Sequence, residues 1–248
     1  DAFHKQLVKL GLRLKESGDY YGYSLALGSA EVSLLTLTNA YRALANGGRT
    51  SPVLLTTPWP DSALKPSGLH ALDPRAAFIV GDILSDPNAR AHTFGTDSIL
   101  ATRFWTAVKT GTSKDMRDNW AIGWSQRYTV GVWVGNASGA PMWDVSGTTG
   151  AAPIWAAVMN HLHASQPSRA PAPPPGVVQT RVQFGDIAAH GTNGAGTGTG
   201  MGKGTTGGAG AGGAGTAPLE AARNEWFLAG TQQTTFTINS IEIGRAHV

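Results

Sequence analysis

The sequence has no cysteine among its 248 residues, which excludes disulfide bonds and thiolate metal sites. Charged residues are also scarce at 14%, and the net charge of +3 reflects a shortage of carboxylates rather than a concentrated basic surface. The chain has no lysine- and arginine-rich run with interleaved aromatic residues, and no apolar run long enough to span a membrane. These absences argue against a nucleic-acid partner and leave both the cytoplasm and the periplasm open.

Neither a metal nor another cofactor is expected. The closest histidine pair, His161 and His163, lies two residues apart on a predicted helix, so the two rings do not face the same way. Three glycines fit the pattern Gly-x-Gly-x-x-Gly, namely Gly202, Gly204 and Gly207. A dinucleotide site needs a strand before such glycines and a helix after them, and this tract has neither.

The first half of the chain predicts two helices. Residues 33–46 place Leu34, Leu37, Tyr41 and Leu44 at helical spacing, and Gly47 and Gly48 follow as a left-handed stop. A second helix begins at Asp73, which acts as N-cap before a proline, and ends at the break around Ser85. A short strand is predicted between the two helices at residues 52–56.

From residue 106 onward, the spacing of apolar residues changes from the helical period to the alternation typical of strands. Residues 106–113, 119–125 and 128–135 predict an antiparallel meander, with a tight turn at 126–127. Tyr128, Val130, Val132 and Val134 share one face of the last strand, and Thr129, Gly131, Trp133 and Gly135 share the other. A helix at 153–163 should cover the sheet with Ile154, Ala157, Val158 and Leu162.

Composition divides the rest of the chain. Residues 165–176 form a proline-rich linker, so residues 1–164 are one predicted domain. A small all-β domain follows at 177–241, with a glycine-rich tract at 191–215 that we expect to be disordered. Residues 242–248 resemble the translation of a sequencing adapter and are expected to be non-native. The predicted fold class is therefore α+β, an antiparallel sheet packed by helices and followed by the small β domain.

The segment Lys109-Thr110-Gly111-Thr112 concentrates the chemistry of the chain. A strand glycine weakens the strand unless another backbone approaches it closely, and a lysine beside it suggests a cleft. An extended peptide adding to this strand would meet a positive charge and two hydroxyl groups. Alternation places the lysine on the face opposite the threonines, so joint action requires an edge strand. The competing interpretation is an edge strand with a solubilising lysine.

The segment VKTGTS, followed by DNWAIGWSQRYTVGVWVGN, resembles the third active-site motif and the next hairpin of penicillin-binding transpeptidases. The segments ALGSAEVSLLTLTNAYRALANGG and GTTGAAPIWAAVM resemble helical parts of the same domain. The final β region resembles the C-terminal accessory domain of bifunctional class A penicillin-binding proteins. The resemblance covers nearly the whole chain apart from the glycine tract and the tail, and it implies a partial transpeptidase fold like that of serine β-lactamases.

The resemblance also implies a reaction and its residues. A serine is acylated by the D-Ala-D-Ala end of a peptidoglycan stem peptide, D-alanine leaves, and the acyl group passes to an amine of a neighbouring strand; β-lactam antibiotics acylate the same serine. Lys109 would join the proton and charge network and help hold the substrate carboxylate. The hydroxyls of Thr110 and Thr112 would anchor that carboxylate, the Thr112 N–H would form half of an oxyanion hole, and Gly111 would keep the strand open.

The serine motifs of the family are absent. The one Ser-x-x-Lys runs from Ser62 to Lys65 in a proline-rich loop rather than at a helix N-terminus, and no Ser-x-Asn occurs. We therefore expect a fragment, inactive alone, of an enzyme that also carries a glycosyltransferase domain and an inner-membrane anchor and works in the periplasm. The alternative is a non-catalytic cell-wall or partner-binding module. Residues preceding Asp1 in a longer gene would discriminate between the two.

A charged turn follows the lysine strand. Lys114, Asp115, Arg117 and Asp118 are interpreted as a solvated turn, with orientation of the hairpin as the further role open to Asp118 and Asn119. Trp120, Trp124 and Trp133 are interpreted as core residues, although the Trp133 ring could also form the floor of a binding groove.

Overall fold

The computed structural model describes residues 2–55, 68–88, 90, 98–185 and 221–237. The chain divides into two compact units, Asp1–Pro175 and Gly176–Val248. The boundary therefore falls at the end of the proline-rich segment. The glycine-rich tract at 191–215, the tail at 242–248 and the Ser62 loop all lie outside the described residues.

Among the described residues, the helices include α1 (Ala2–Lys9), α2 (Gly18–Tyr21), α3 (Leu34–Ala45), α4 (Pro74–Ser85) and α5 (Ala152–Leu162), with a 3₁₀-helix at Gly22–Leu27 and a π-helical turn at Gly147–Ala151 just before α5. The strands are β1 (Arg49–Thr50), β2 (Leu69–His70), β3 (Ala107–Thr112), β4 (Asp118–Trp124), β5 (Thr129–Gly135), β6 (Val177–Gly185), β7 (Arg223–Leu228) and β8 (Thr235–Thr237). The α+β class predicted from the sequence is confirmed.

The predicted meander is confirmed as the central sheet of the first unit. Its three strands are antiparallel in the order β3-β4-β5, with Gly111 opposite Trp120 and Trp120 opposite Trp133. Ser125 and Tyr128 close the turn between β4 and β5 through a backbone hydrogen bond of 2.8 Å. The strand predicted at 52–56 does not form over residues 52–55; β1 instead pairs with β2.

Helix α3 covers one face of the sheet, where it crosses Gly131. A Cβ at Gly131 would lie 2.0 Å from Thr38 Oγ1, so only a glycine permits this approach. The helix begins directly after Ser33, the first residue of the predicted span, and the Ser33 side chain caps it by accepting a hydrogen bond from the Thr36 N–H. Its end is followed by Gly47 with φ of +63°, the left-handed stop that the sequence predicted.

The stripe predicted on α3 is only partly buried. The buried positions of the helix are Ala40 and Ala43, whose small side chains allow a close approach, while Leu34 is 37% exposed. Tyr41 packs edge-on against Trp124 at a centroid distance of 6.0 Å, and burial raises the pKa of its hydroxyl.

Helix α4 begins as predicted. The Asp73 side chain accepts a hydrogen bond of 2.8 Å from the Arg75 N–H, and Pro74 occupies the first turn. The Arg75 side chain also donates to this carboxylate, which lowers the pKa of Asp73 to about 2.

Helix α5 covers the opposite face of the sheet, but the stripe predicted for it is wrong. Ile154 and Val158 are 48% and 38% exposed, and the buried stripe consists of Ala152, Trp155, Ala156 and Met159. Trp155 fits because Gly123 lies beneath it, where a Cβ would be 2.6 Å from the indole ring. Together with Leu100, Val108, Ala121 and Ala151 these residues form the core, and Val130, Val132 and Val134 pack against it.

The second unit contains a three-stranded sheet in the order β7-β6-β8. Strands β6 and β7 are antiparallel, with Val178 opposite Phe227, whereas β8 runs parallel to β6. Val182 is fully buried, and Phe236 stacks on both Phe184 and Phe227. The apolar face of this small sheet thus comes from alternate residues of each strand.

Candidate functional site

The candidate site lies along β3, which is an edge strand among the described residues, as predicted. The Ser113 N–H donates to the Asp118 carbonyl at 2.9 Å, so these two residues form a hydrogen-bonded pair. Such pairs alternate along an antiparallel ladder, so the backbone groups of Gly111 point towards β4. The N–H and C=O groups of Thr110 and Thr112 consequently point to the free edge.

Lys109 lies on the sheet face opposite the two threonines, in register with Ile122. Its side chain is exposed, and its Nζ donates a hydrogen bond of 2.6 Å to the Thr110 carbonyl oxygen. The ammonium is therefore bound to the free edge rather than extended into solvent. The structure brings no serine hydroxyl or carboxylate to this ammonium within the described residues.

Thr112 is held by the turn that precedes α5. The Gly147 N–H donates to Thr112 Oγ1 at 2.9 Å, so this oxygen serves as an acceptor on the inner side and its own hydrogen remains available as a donor. Gly147 lies against the strand so closely that a Cβ would be 2.5 Å from the Gly111 carbonyl oxygen and 2.8 Å from that of Trp120. The position of the Gly147 turn therefore determines the position of the Thr112 hydroxyl.

Asp118 connects the end of β3 to the hairpin, and the solvated-turn interpretation therefore misses its contacts. The Ser113 hydroxyl donates to Asp118 Oδ2 at 2.8 Å, and the Trp133 indole N–H donates to Oδ1 at 2.9 Å. The Asp118 N–H returns a bond of 2.9 Å to Ser113 Oγ. This carboxylate thus ties β3 to the β4–β5 hairpin and orients it. Trp133 is 36% exposed, and its indole N–H is bound to Asp118 rather than free to contact a ligand.

The rest of the turn is exposed and strained. Asp115 and Met116 have positive φ angles of 59° and 55°, and Asp115 forms an exposed ion pair with Arg117 at 3.4 Å. Such a pair contributes little to stability because solvent screens it.

The remaining candidates lie elsewhere. His163 is buried, with Nε2 2.8 Å from Ser125 Oγ and Nδ1 2.6 Å from the Gln166 carbonyl oxygen. It is therefore a packing contact of the β4–β5 turn, while His161 is exposed. Ser62 and the glycines of the Gly-x-Gly-x-x-Gly pattern lie outside the described residues. In the part of the chain that the structure describes, no helix is long and apolar enough to cross a membrane.

No family model matches the sequence. Penicillin-binding protein 1C of Escherichia coli is 34% identical over 161 residues, which is 64% of this chain and 20% of that protein. Penicillin-binding protein 1A of Pseudomonas aeruginosa is 35% identical over 127 residues, 50% of this chain and 15% of that protein. The chain thus spans a fifth or less of the length of these relatives.

Solved structures show the same fold. Penicillin-binding protein 1A from Haemophilus influenzae matches with a TM-score of 0.62 at 19% identity, over 93% of this chain and 37% of that chain. PonA1 from Mycobacterium tuberculosis matches with a TM-score of 0.53 at 20% identity, over 68% of this chain and 51% of that chain. PonA1 has also been solved in complex with penicillin V.

Proposed function

On the premise that this chain is a relative of the penicillin-binding proteins, we propose that it is part of a peptidoglycan D,D-transpeptidase. In this proposal β3 binds the carboxyl end of a stem peptide, which a serine outside the Lys-Thr-Gly-Thr segment attacks. The free β3 edge is the observation that carries the proposal, because the outward backbone groups of Thr110 and Thr112 can pair with an added peptide strand.

The carboxylate of the peptide would be held by hydroxyl groups. The Thr112 hydroxyl is already oriented, because its oxygen accepts from Gly147 and its hydrogen is left to donate outward. The Thr112 N–H points to the same edge and would supply half of the oxyanion hole, with the Thr110 hydroxyl as a further contact. Gly111 leaves the adjoining sheet face open, since among the described residues a Cβ there would meet only the Trp120 side chain, at 3.7 Å.

Lys109 would change partners on binding. In the structure, its Nζ donates a hydrogen bond to the Thr110 carbonyl oxygen. An added peptide strand needs this same oxygen as a hydrogen-bond acceptor. Entry of the peptide would release the ammonium, which then pairs with the substrate carboxylate or with a serine of the second motif. Without peptide, the lysine thus covers one acceptor of the β3 edge; with peptide bound, it supplies a positive charge near the substrate carboxylate.

The whole protein would have further parts. A Ser-x-x-Lys helix and a Ser-x-Asn loop are needed for acylation, and without them this chain alone is inactive. By likeness to the class A relatives, a glycosyltransferase domain and an inner-membrane anchor would complete a periplasmic enzyme that β-lactams inhibit. The second unit would be its accessory domain, joined through the linker at 165–176.

The proposal can be tested on the chain itself. Calorimetric titration should compare an N-acylated D-Ala-D-Ala peptide with the same peptide ending in a carboxamide. The free carboxylate should bind about tenfold more tightly, because a charge-assisted hydrogen bond is lost in the amide. Thr112→Val keeps the shape of the side chain and removes the hydroxyl, so it should reduce this difference clearly, with Lys109 and Thr110 supplying what remains.

Thr129→Val, a matched change on β5, is the control and should leave both affinities unchanged. Equal binding of the two peptides, or an equal effect of both threonine variants, would refute the β3 site. Binding with the predicted preference, but without penicillin labelling of a longer gene product that contains both serine motifs, would favour the non-catalytic binding module.

A further inference from the structure

A cavity of about 220 Å³ lies in the first unit on the α3 and α4 side of the sheet, away from the Lys-Thr-Gly-Thr segment. One wall comes from the C-terminal end of α3 and from α4, and another from Trp105, which precedes β3, and Trp124 at the end of β4. The proline-rich segment forms the third wall through Arg169, Pro171, Ala172 and Pro174. The stem-peptide site proposed above on β3 uses none of these residues.

The cavity is lined mainly by apolar groups. Phe78, Trp105 and Trp124 contribute aromatic rings, and prolines from two segments add flat aliphatic surface. Gly81 widens the space, because a Cβ at this position would lie 3.5 Å from the Trp124 ring, an ordinary contact. An apolar cavity of roughly 150 Å³ is known to hold benzene. The larger volume here suits a fused bicyclic ring.

A positive charge at the opening of the cavity favours bicyclic molecules that carry a negative group. Arg169 is the one charged residue lining the cavity in the described part of the chain, and no carboxylate joins it there. Its side chain is exposed beside Gln126, at the rim rather than in the apolar interior. A guanidinium group in this position can bind a carboxylate through two parallel hydrogen bonds.

The backbone at Arg169 is held in place. The preceding residue, Ser168, is buried, and its Oγ accepts a hydrogen bond of 2.9 Å from the Gln126 N–H. Its carbonyl oxygen accepts from the Trp105 N–H at 3.4 Å. The start of the proline-rich segment is thus fixed against the sheet, which keeps the guanidinium close to the mouth of the cavity.

We propose that this cavity binds a small, flat, bicyclic aromatic carboxylate, with its ring between Phe78 and the tryptophans and its carboxylate on Arg169. The site is separate from the β3 edge. Its occupancy therefore does not depend on the transpeptidase assignment, and the two proposals fail independently.

Calorimetry on the full chain should compare 2-naphthoate with neutral 2-naphthylmethanol, which has the same ring. The carboxylate should bind about tenfold more tightly, in line with one charge-assisted contact. Arg169→Gln should remove this preference and leave binding of the alcohol unchanged. Arg127→Gln is the matched control, because Arg127 lies on the adjacent turn and does not line the cavity, and it should keep the preference.

Gly81→Ala tests the ring site without a risk to folding, because alanine is favoured over glycine inside a helix and its Cβ makes an ordinary contact here. It reduces the cavity and should weaken both ligands several-fold, with the carboxylate preference retained. Equal affinity for the two ligands, a preference that survives Arg169→Gln, or no binding at millimolar ligand would each overturn the proposal.

Discussion

Replacement of Gly131 by alanine should destabilise the first unit, because α3 crosses the sheet directly over this residue. The added Cβ would lie 2.0 Å from Thr38 Oγ1 and 3.2 Å from a methyl carbon of Leu34. The first distance is about 1.5 Å shorter than an ordinary contact of roughly 3.5 Å, so the helix or the strand must move. Overpacking of this kind costs about 1–3 kcal/mol of unfolding free energy.

A double-mutant cycle identifies the clashing atom. Thr38→Ala removes an Oγ1 that is buried without a hydrogen-bond partner among the described residues, so by itself it should change stability little. In that background the nearest remaining atoms are 3.2 Å from the new Cβ, and a shift of a few tenths of an ångström relieves them. The cost of Gly131→Ala should then fall by about 1 kcal/mol or more.

Urea unfolding followed by tryptophan fluorescence measures these changes, since every tryptophan except Trp226 lies in the first unit. Gly111→Ala is the control, because its Cβ would be 3.7 Å from the nearest atom and should cost little. A loss below about 0.5 kcal/mol for Gly131→Ala, or the same loss with and without Thr38→Ala, would refute the close crossing of α3.

Three further outcomes are expected. Gly147→Ala should also cost about 1–3 kcal/mol, and it should shift the Thr112 amide resonance, because its Cβ would press on the Gly111 carbonyl at 2.5 Å. The stabilising effect of Asp73 should be complete above its ordinary pKa of 3.8 and be lost as pH falls towards about 2, where the carboxylate is protonated. Asp73→Asn, which caps without titrating, should lack this pH-dependent loss in acid unfolding curves. Fluorescent penicillin should not label the chain; a covalent adduct at Ser62 in intact-protein mass spectrometry would contradict the prediction that this chain lacks the nucleophile.

The sequence predicted the meander because alternation over 106–135 leaves only one pairing that buries the valines of β5. The two helix starts could also be predicted, that of α3 from apolar spacing and that of α4 from the Asp73 cap, since both signals depend on neighbouring residues. The edge position of β3 followed from its chemistry, because a lysine on one face and threonines on the other can act together only across an edge. The roles of its side chains stay predictions.

Other features required long-range contacts. Helix α5 is apolar on two sides, so its sequence offers two stripes, and the sheet selects the one with Trp155 because Gly123 leaves room for the indole ring. The hydrogen bond from Gly147 to Thr112 joins residues that are 35 positions apart, and no local pattern predicts it. The local sequence predicts only a turn at Asp118, because its partner Trp133 lies on the next strand.

The sequence by itself thus determined helices α3 and α4, the cap at Asp73 and the central meander, since periodicity and capping act between near neighbours. Only the tertiary structure decided which helix face meets the sheet, which turn fixes the Thr112 hydroxyl and where an apolar cavity remains. Those features depend on the shapes of surfaces that meet only after the chain has folded.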